Sequence, residues 1–182
     1  MYSIVMADSP ISPASATALN LIGAATLLIA DELTTAVEEE SGLAALSAAA
    51  LVSIAHAPGE PIDYIARSLR RSHSAVVRLV AALVEQGYVE KRASSDARAV
   101  SLELTRSGRQ TVRRVLARRE AVLRTLMQPL SAAERSRLES ISRRLIESHT
   151  TDELQAMWVC RLCDGEKCDP CPMATLRDGE SP

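Results

Sequence analysis

Four cysteines, Cys160, Cys163, Cys168 and Cys171, fall within twelve residues, and the chain has no others. A disulfide framework would spread its cysteines along the chain. Thiols packed this closely share a metal or do redox work. Two C-x-x-C pairs supply the four thiolates of a tetrahedral zinc site. The pairs are separated by only four residues, whereas zinc ribbons leave about 15–20 between them. The run Cys163-x4-Cys168-x2-Cys171 has the spacing of plant-type iron–sulfur proteins. Cys160 is a fourth ligand upstream, and Pro172 follows the last cysteine. An iron–sulfur cluster is therefore placed slightly ahead of zinc. Asp164, Glu166 and Asp169 would disfavour an anionic cluster and keep zinc close behind. Metal-free, reversible disulfides are the third reading.

The second chemistry is electrostatic. The net charge is −2, but it is unevenly spread: residues 61–125 hold 14 Lys and Arg against 6 Asp and Glu, and the remainder holds 7 against 17. A basic middle between acidic ends is the footprint of one surface that meets phosphate while the rest repels it. Aromatic residues make up 2% of the chain and there is no Phe, which argues against single-strand nucleic-acid modules that stack bases on rings. Arg113, Arg114, Arg118 and Arg119 read as solvated helix faces. No Ser/His/Asp arrangement, phosphate-cradling glycine loop or rich histidine set points to catalysis, so an enzyme is not expected.

Periodicity supplies the elements that position these groups. Residues 1–14, with Pro10 and Pro13, read as a flexible arm. A long Ala- and Leu-rich helix is expected over Ser15–Ser41, stopped by Gly42, and a second over Leu43–Ala57, stopped by Pro58-Gly59-Glu60-Pro61. Ile62, Ile65 and Leu69 mark a short helix. Ser72 caps another that runs to Gln86, with Val76, Leu79, Val80 and Leu83 as its buried stripe and Gly87 as its terminator. The period then changes to two. Tyr88–Arg92 and Val100–Leu104 read as strands, the second alternating Val100, Leu102 and Leu104 inward, around a polar loop at 93–97. Helices return over Ser107–Pro129 and from Ser131, where Glu134 completes a capping box and Leu138, Ile141, Leu145 and Ile146 form a stripe. A last helix is expected from Thr150, boxed by Glu153, aiming the cysteines away from the middle of the chain. No uninterrupted apolar run approaches the length of a membrane span. The N-terminus lacks the basic start of a secretory signal, so a cytoplasmic location without membrane contact is expected.

Helix, short helix, capped helix and two-stranded hairpin make a winged helix-turn-helix. The fold expected is mainly α, with a two-stranded β-hairpin wing and long flanking dimerisation helices. The capped helix fits a major groove, with Ser72, His73 and Ser74 at its entering end and Arg78 on its open face. Arg70, Arg71 and Arg92 are expected on phosphates, which position without specifying. The hairpin carries Ser94, Ser95 and Arg98 toward the minor groove, with Asp96 as a brace for the wing.

At these residues the chain resembles MarR-type regulators. Leu69-x-x-Ser72, Arg78-Leu79-Val80, Leu83, Gly87-Tyr88-Val89 and Lys91-Arg92 resemble that family's recognition helix and first wing strand. Asp96-x-Arg98-x-x-x-Leu102-x-Leu104-Thr105-x-x-Gly108 is similar to its wing signature, and the likeness extends over about Leu19 to Ser148. Val77 departs from it, standing where the family usually has Ser or Thr. The resemblance implies a homodimer bound to pseudo-palindromic double-stranded DNA, most often as a repressor, with a small-molecule effector as a further partner. The expected organisation is an arm at 1–14, a DNA-binding and dimerisation domain at 15–149, and a cysteine tail at 150–182 that senses redox state or metal. The competing reading is an iron–sulfur or zinc protein-interaction module that uses the winged helix only as a scaffold.

Overall fold

A computed structural model describes residues 13–93 and 100–177. Helix α1 spans Pro13–Ser41 and ends where Gly42 takes φ +66°. Three glutamates close α1, where the helix dipole disfavours negative charge. They are used elsewhere. Glu38 accepts from the Ala45 N–H at 2.9 Å and so serves the N-terminus of α2 (Ala45–His56). This borrowed cap explains why α2 starts at Ala45 rather than Leu43. Glu40 and Glu39 pair with Arg114 at 3.3 Å and Arg118 at 3.7 Å on helix α5 (Arg106–Met127). These two arginines are thus ion-paired to α1 rather than simply solvated.

Helix α3 (Ile62–Ser68) and helix α4 (His73–Glu85) follow. Ser72 caps α4 by accepting from the Ala75 N–H at 3.3 Å. Val76, Val80 and Leu83 are fully buried, and Leu79 packs partly exposed beside them. A Schellman motif ends α4: Tyr88 N–H donates to the Leu83 carbonyl and Gly87 N–H to that of Val84, both at 2.9 Å, with Gly87 at φ +74°. Strands β1 (Val89–Ala93) and β2 (Val100–Leu104) pair antiparallel, Val89 opposite Leu104 and Ala93 opposite Val100. Leu102 and Leu104 point into the core as expected, but Val100 is 45% exposed and Ser101 is buried. The other edge of β2 is the reason. Gly59 N–H donates to the Leu102 carbonyl at 3.0 Å, Leu102 N–H to that of Glu60 at 3.2 Å, and Pro61 bridges Ser101.

Helix α5 (Arg106–Met127) packs along α1 and against α2. Helix α6 (Ala132–His149) opens with the expected capping box of Ser131 and Glu134 and buries none of its residues. Helix α7 (Glu153–Val159) and helix α8 (Ala174–Arg177) complete the tail. The cap of α7 is Asp152, accepting from Gln155 N–H at 2.8 Å, not Thr150 with Glu153. Thr150 is buried in extended backbone instead, and the helix begins only after it.

The core is aliphatic: Leu51, Ile54, Ile65, Leu69, Leu83, Leu102 and the valines between them. Two apolar surfaces lie outside it. On α1, Leu19, Leu21, Ile22, Leu27 and Leu28 are each more than half exposed, and on α6 Leu138, Ile141 and Leu145 are exposed. Residues 15–41 of α1 are long and apolar enough, by length and composition, to cross a membrane. The expectation drawn from uninterrupted runs missed this, because scattered small polar residues barely lower the mean hydropathy of a helix.

Gly108 is the tightest point of the fold. A Cβ there would lie 2.1 Å from the Tyr88 carbonyl oxygen and 3.3 Å from Leu104. The backbone oxygen cannot yield without moving the start of β1. Gly108→Ala is expected to destabilise the chain by about 1–3 kcal/mol, the usual range for overpacking. Urea unfolding should show a lower midpoint with an unchanged slope.

Candidate nucleic-acid interface and cysteine tail

Helix α4 presents Ser74, Arg78, Ala81 and Glu85 on the face opposite its buried stripe, all exposed. Ser72 caps the entering end, with its hydroxyl 3.4 Å from that of Ser74. Exposed Arg71 stands just before the cap. His73 lies 3.6 Å from Asp63 of α3, so its ring is directed back to the preceding helix. Arg78 faces solvent. Ser72, His73 and Ser74 lie at the start of α4, and Arg78 stands about a turn further along it. The wing residues Ser94, Ser95, Asp96 and Arg98 lie outside the described residues.

Two expected phosphate anchors are held by protein groups. Arg92 lies 2.7 Å from Glu90 on its own strand and 3.1 Å from Glu103 across the hairpin. Glu90, with Glu103, holds the guanidinium pKa above its ordinary value. Arg70 is set in the left-handed region, φ 52°, at the turn between α3 and α4. Its turn is a Schellman motif in which Arg71 N–H reaches the Ala66 carbonyl at 3.0 Å, a place where glycine is usual. A non-glycine residue there costs about 1–2 kcal/mol. The Arg70 guanidinium sits 5.4 Å from the centre of the Trp158 ring, and Arg161 sits 3.9 Å from it. Burial, with the charge of Arg70 nearby, lowers the pKa of Arg161.

The tail therefore does not point away from the winged helix. Helix α7 packs on α3. Tyr64 donates its hydroxyl to Glu153 at 2.6 Å across 89 positions of sequence. Ala156, Met157 and Met173 are buried, and Leu162 joins the edge of the main core. Lys167 bonds Glu120 of α5, and Arg143 of α6 donates to the Pro170 carbonyl at 3.1 Å. Sequence patterns alone missed this docking. The one available signal was the scarcity of aromatics: Tyr64 and Trp158 are two of four, and both lie at the contact.

The four cysteines are partly exposed. Cys163 interacts with Cys160 and Cys168, and Cys168 with Cys171, so the sulfurs form a string. Cys160, then burial, pushes the Cys163 thiol far up. Burial, then its cysteine neighbours, raises that of Cys168. Among the described residues, no three His, Cys, Asp or Glu side chains already surround one metal-sized point. A cavity of about 670 Å³ lies between α2, α5 and the 164–167 loop, lined by His56, Arg109, Arg113, Leu116, Asp164 and Lys167.

Residues 41–99, from the end of α1 to the wing, match the sequence profile of the MarR family. The helix-turn-helix of this chain thus lies within a segment similar to the MarR family. The transcriptional repressor MprA of Escherichia coli K12 is 34% identical over 80 residues, 43% of this chain and 46% of that protein. The chain thus spans about half the length of the curated relatives it matches. The YusO protein of Bacillus subtilis superposes with a TM-score of 0.63 at 21% identity, covering 75% of this chain and 99% of that one. RV1404 of Mycobacterium tuberculosis gives 0.64 at 20%, covering 78% and 97%. These two likenesses, covering three quarters or more of this chain, show that the shared fold continues beyond residues 41–99. The matched profile stops short of the cysteine tail.

The contact between the tail and α5 carries a pH prediction. Lys167, then Arg124, holds the Glu120 carboxyl at about 2, below its ordinary 4.5. A depressed carboxylate contributes stability above its unfolded pKa and loses it as pH falls through the folded value. The Glu120–Lys167 contact is expected to persist at neutral pH and to be lost between about pH 4.5 and 2. Carbon-detected NMR titration of Glu120 should place its midpoint near 2, and a midpoint near 4.5 would refute the contact.

Proposed function

We propose that the chain is a dimeric, non-enzymatic transcriptional regulator of the cytoplasm, acting as a repressor on pseudo-palindromic double-stranded DNA. One observation carries this reading. Helix α4 buries Val76, Val80 and Leu83 completely, so Arg78 and Ser74 on its opposite face are committed to solvent or to a partner. A rigid helix presenting a cation from a basic lobe fits a major groove. Repressor action is suggested by the similarity to MprA. The direct contacts assigned are Arg71, Ser72, His73, Ser74 and Arg78 from the helix end, with Ser94, Ser95 and Arg98 from the wing and Asp96 as its brace. Arg70 and Arg92 act beside them mainly through their protein partners.

A second copy is the occupant proposed for the open apolar faces of α1 and α6. These faces flank the winged helix and expose whole rows of Leu and Ile, an area that an isolated small lobe would not leave in water. The cavity at Arg109 and Arg113 is of a size that admits a small-molecule effector.

Two measurements test this reading. Duplexes selected from a random pool should bind with steep salt dependence. Arg78→Ala should cost about 1–3 kcal/mol on the selected site and relax its sequence preference. Arg98→Ala should weaken all duplexes more evenly and flatten the salt slope. Unchanged affinity for both variants would leave the winged helix as a scaffold for another partner.

Light scattering at micromolar protein should give twice the mass of one chain. Leu27→Glu combined with Ile141→Glu should reduce this to one. A wild-type monomer, or sedimentation of the protein with lipid vesicles through α1, would overturn the dimer.

A further inference from the structure

The tail is built as a clasp. Cys160 is the C-cap of α7, and its carbonyl accepts from the Cys163 N–H at 2.7 Å, a tight turn that brings the first two thiols together. Cys168 and Cys171 follow after a loop held by Lys167 and Asp164. The Met173 N–H donates to the Cys171 sulfur at 3.4 Å, and the Met173 side chain is buried. Cys171 also borders a cleft of about 410 Å³ shared with Tyr64, Glu153 and Met157, which gives an ion a route to the thiols from solvent.

We propose that Cys160, Cys163, Cys168 and Cys171 bind one thiophilic metal centre, and that this centre locks α7 onto α3 and the Arg70 turn. Coordination of a divalent ion replaces four S–H bonds by four metal–sulfur bonds. Four protons leave to solvent, and no electron is transferred. The cation removes the repulsion that neighbouring thiolates would feel and draws the string of sulfurs into a shell. The lock has a defined target. Helix α7 carries Trp158, and Trp158 packs with Arg70, the strained residue that joins α3 to the recognition helix. Release of the clasp would free that turn, two residues before the Ser72 cap. This last consequence rests on the DNA-binding reading of α4, whereas the metal site does not.

The test uses the full chain purified without oxygen. Metal and acid-labile sulfide analysis distinguishes the two forms the centre can take. One zinc per chain and no colour identify a closed structural site, and iron with sulfide and visible charge-transfer absorption identifies a cluster. Protein stripped by a chelator under reductant is then titrated with Zn²⁺ alone. It should take up one ion per chain and shift the emission of Trp158, the only tryptophan. Cys163→Ser with Cys168→Ser should abolish uptake and the emission shift while far-UV circular dichroism is retained. Because the wild-type titration needs no variant, a misfolded mutant cannot mask the result.

Protein that carries no metal when purified anaerobically and takes up no Zn²⁺ overturns the site. So does uptake that survives loss of both cysteines. Duplex binding is measured last, with and without metal. A change of about 5- to 150-fold is the expected range for coupling between sites. Equal affinity in both states, with the metal and Trp158 signals intact, would refute the link to DNA and leave the site standing. Failure of all duplex binding in either state would instead refute the reading of α4.

Discussion

The structure hangs on one joint, centred on Thr105. Its N–H donates to the Tyr88 carbonyl at 3.0 Å, and its hydroxyl donates to the Gly87 carbonyl at 2.7 Å. The same hydroxyl accepts from the Gly108 N–H at 3.1 Å and so caps α5. One residue thereby ties the end of α4, both strands of the hairpin and the start of the long α5 helix. Gly108 lets the first turn of α5 press against Tyr88, and Arg109 closes the corner by donating to the Leu104 carbonyl at 2.6 Å. The angle between α4 and α5 is set here. In a dimer that angle would decide whether two recognition helices match successive turns of a duplex.

Charge is distributed around this joint in two ways. The arginines of α5 that face α1 are paired with its terminal glutamates, and Arg92 is paired within the hairpin. Arg78 on α4 faces solvent. A basic count along the sequence treats all of these alike. Paired guanidiniums contribute little field outside the protein, so the positive face is narrower than the composition implies.

What could be read from the sequence follows the same physics. The helix-turn-helix was legible because its signals are local: an apolar stripe with helical period, a serine cap, and a glycine at C′. The capping box of α6 was legible for the same reason. The start of α2 was misplaced because its cap is Glu38, seven residues away on the preceding helix. The alternation of β2 failed at Val100 and Ser101 because a segment at residues 59–61 covers an edge that no periodicity announces. The direction of the tail was misjudged most. Its anchors, Tyr64 with Glu153 and Arg70 with Trp158, join positions some ninety residues apart, and neither pair is marked by spacing. The cysteines were the reverse case: evident in sequence as a set, but with a placement that only the docking of α7 could supply.

That docking is made of modest contacts. An exposed cation over an indole ring contributes about 0.5–1 kcal/mol. The Tyr64–Glu153 hydrogen bond competes with water at the surface. The left-handed backbone of Arg70 works against the arrangement by about 1–2 kcal/mol. Burial of Met157 and Met173 favours it, but both side chains are flexible and can repack. An interface whose favourable and unfavourable parts are this close responds strongly to any further constraint on the loop that carries it. The cysteines sit in that loop, immediately after the helix that makes the contact. Any bond formed among them, whether to metal or to one another, bears first on Trp158, then on Arg70, and through Arg70 on the cap of α4.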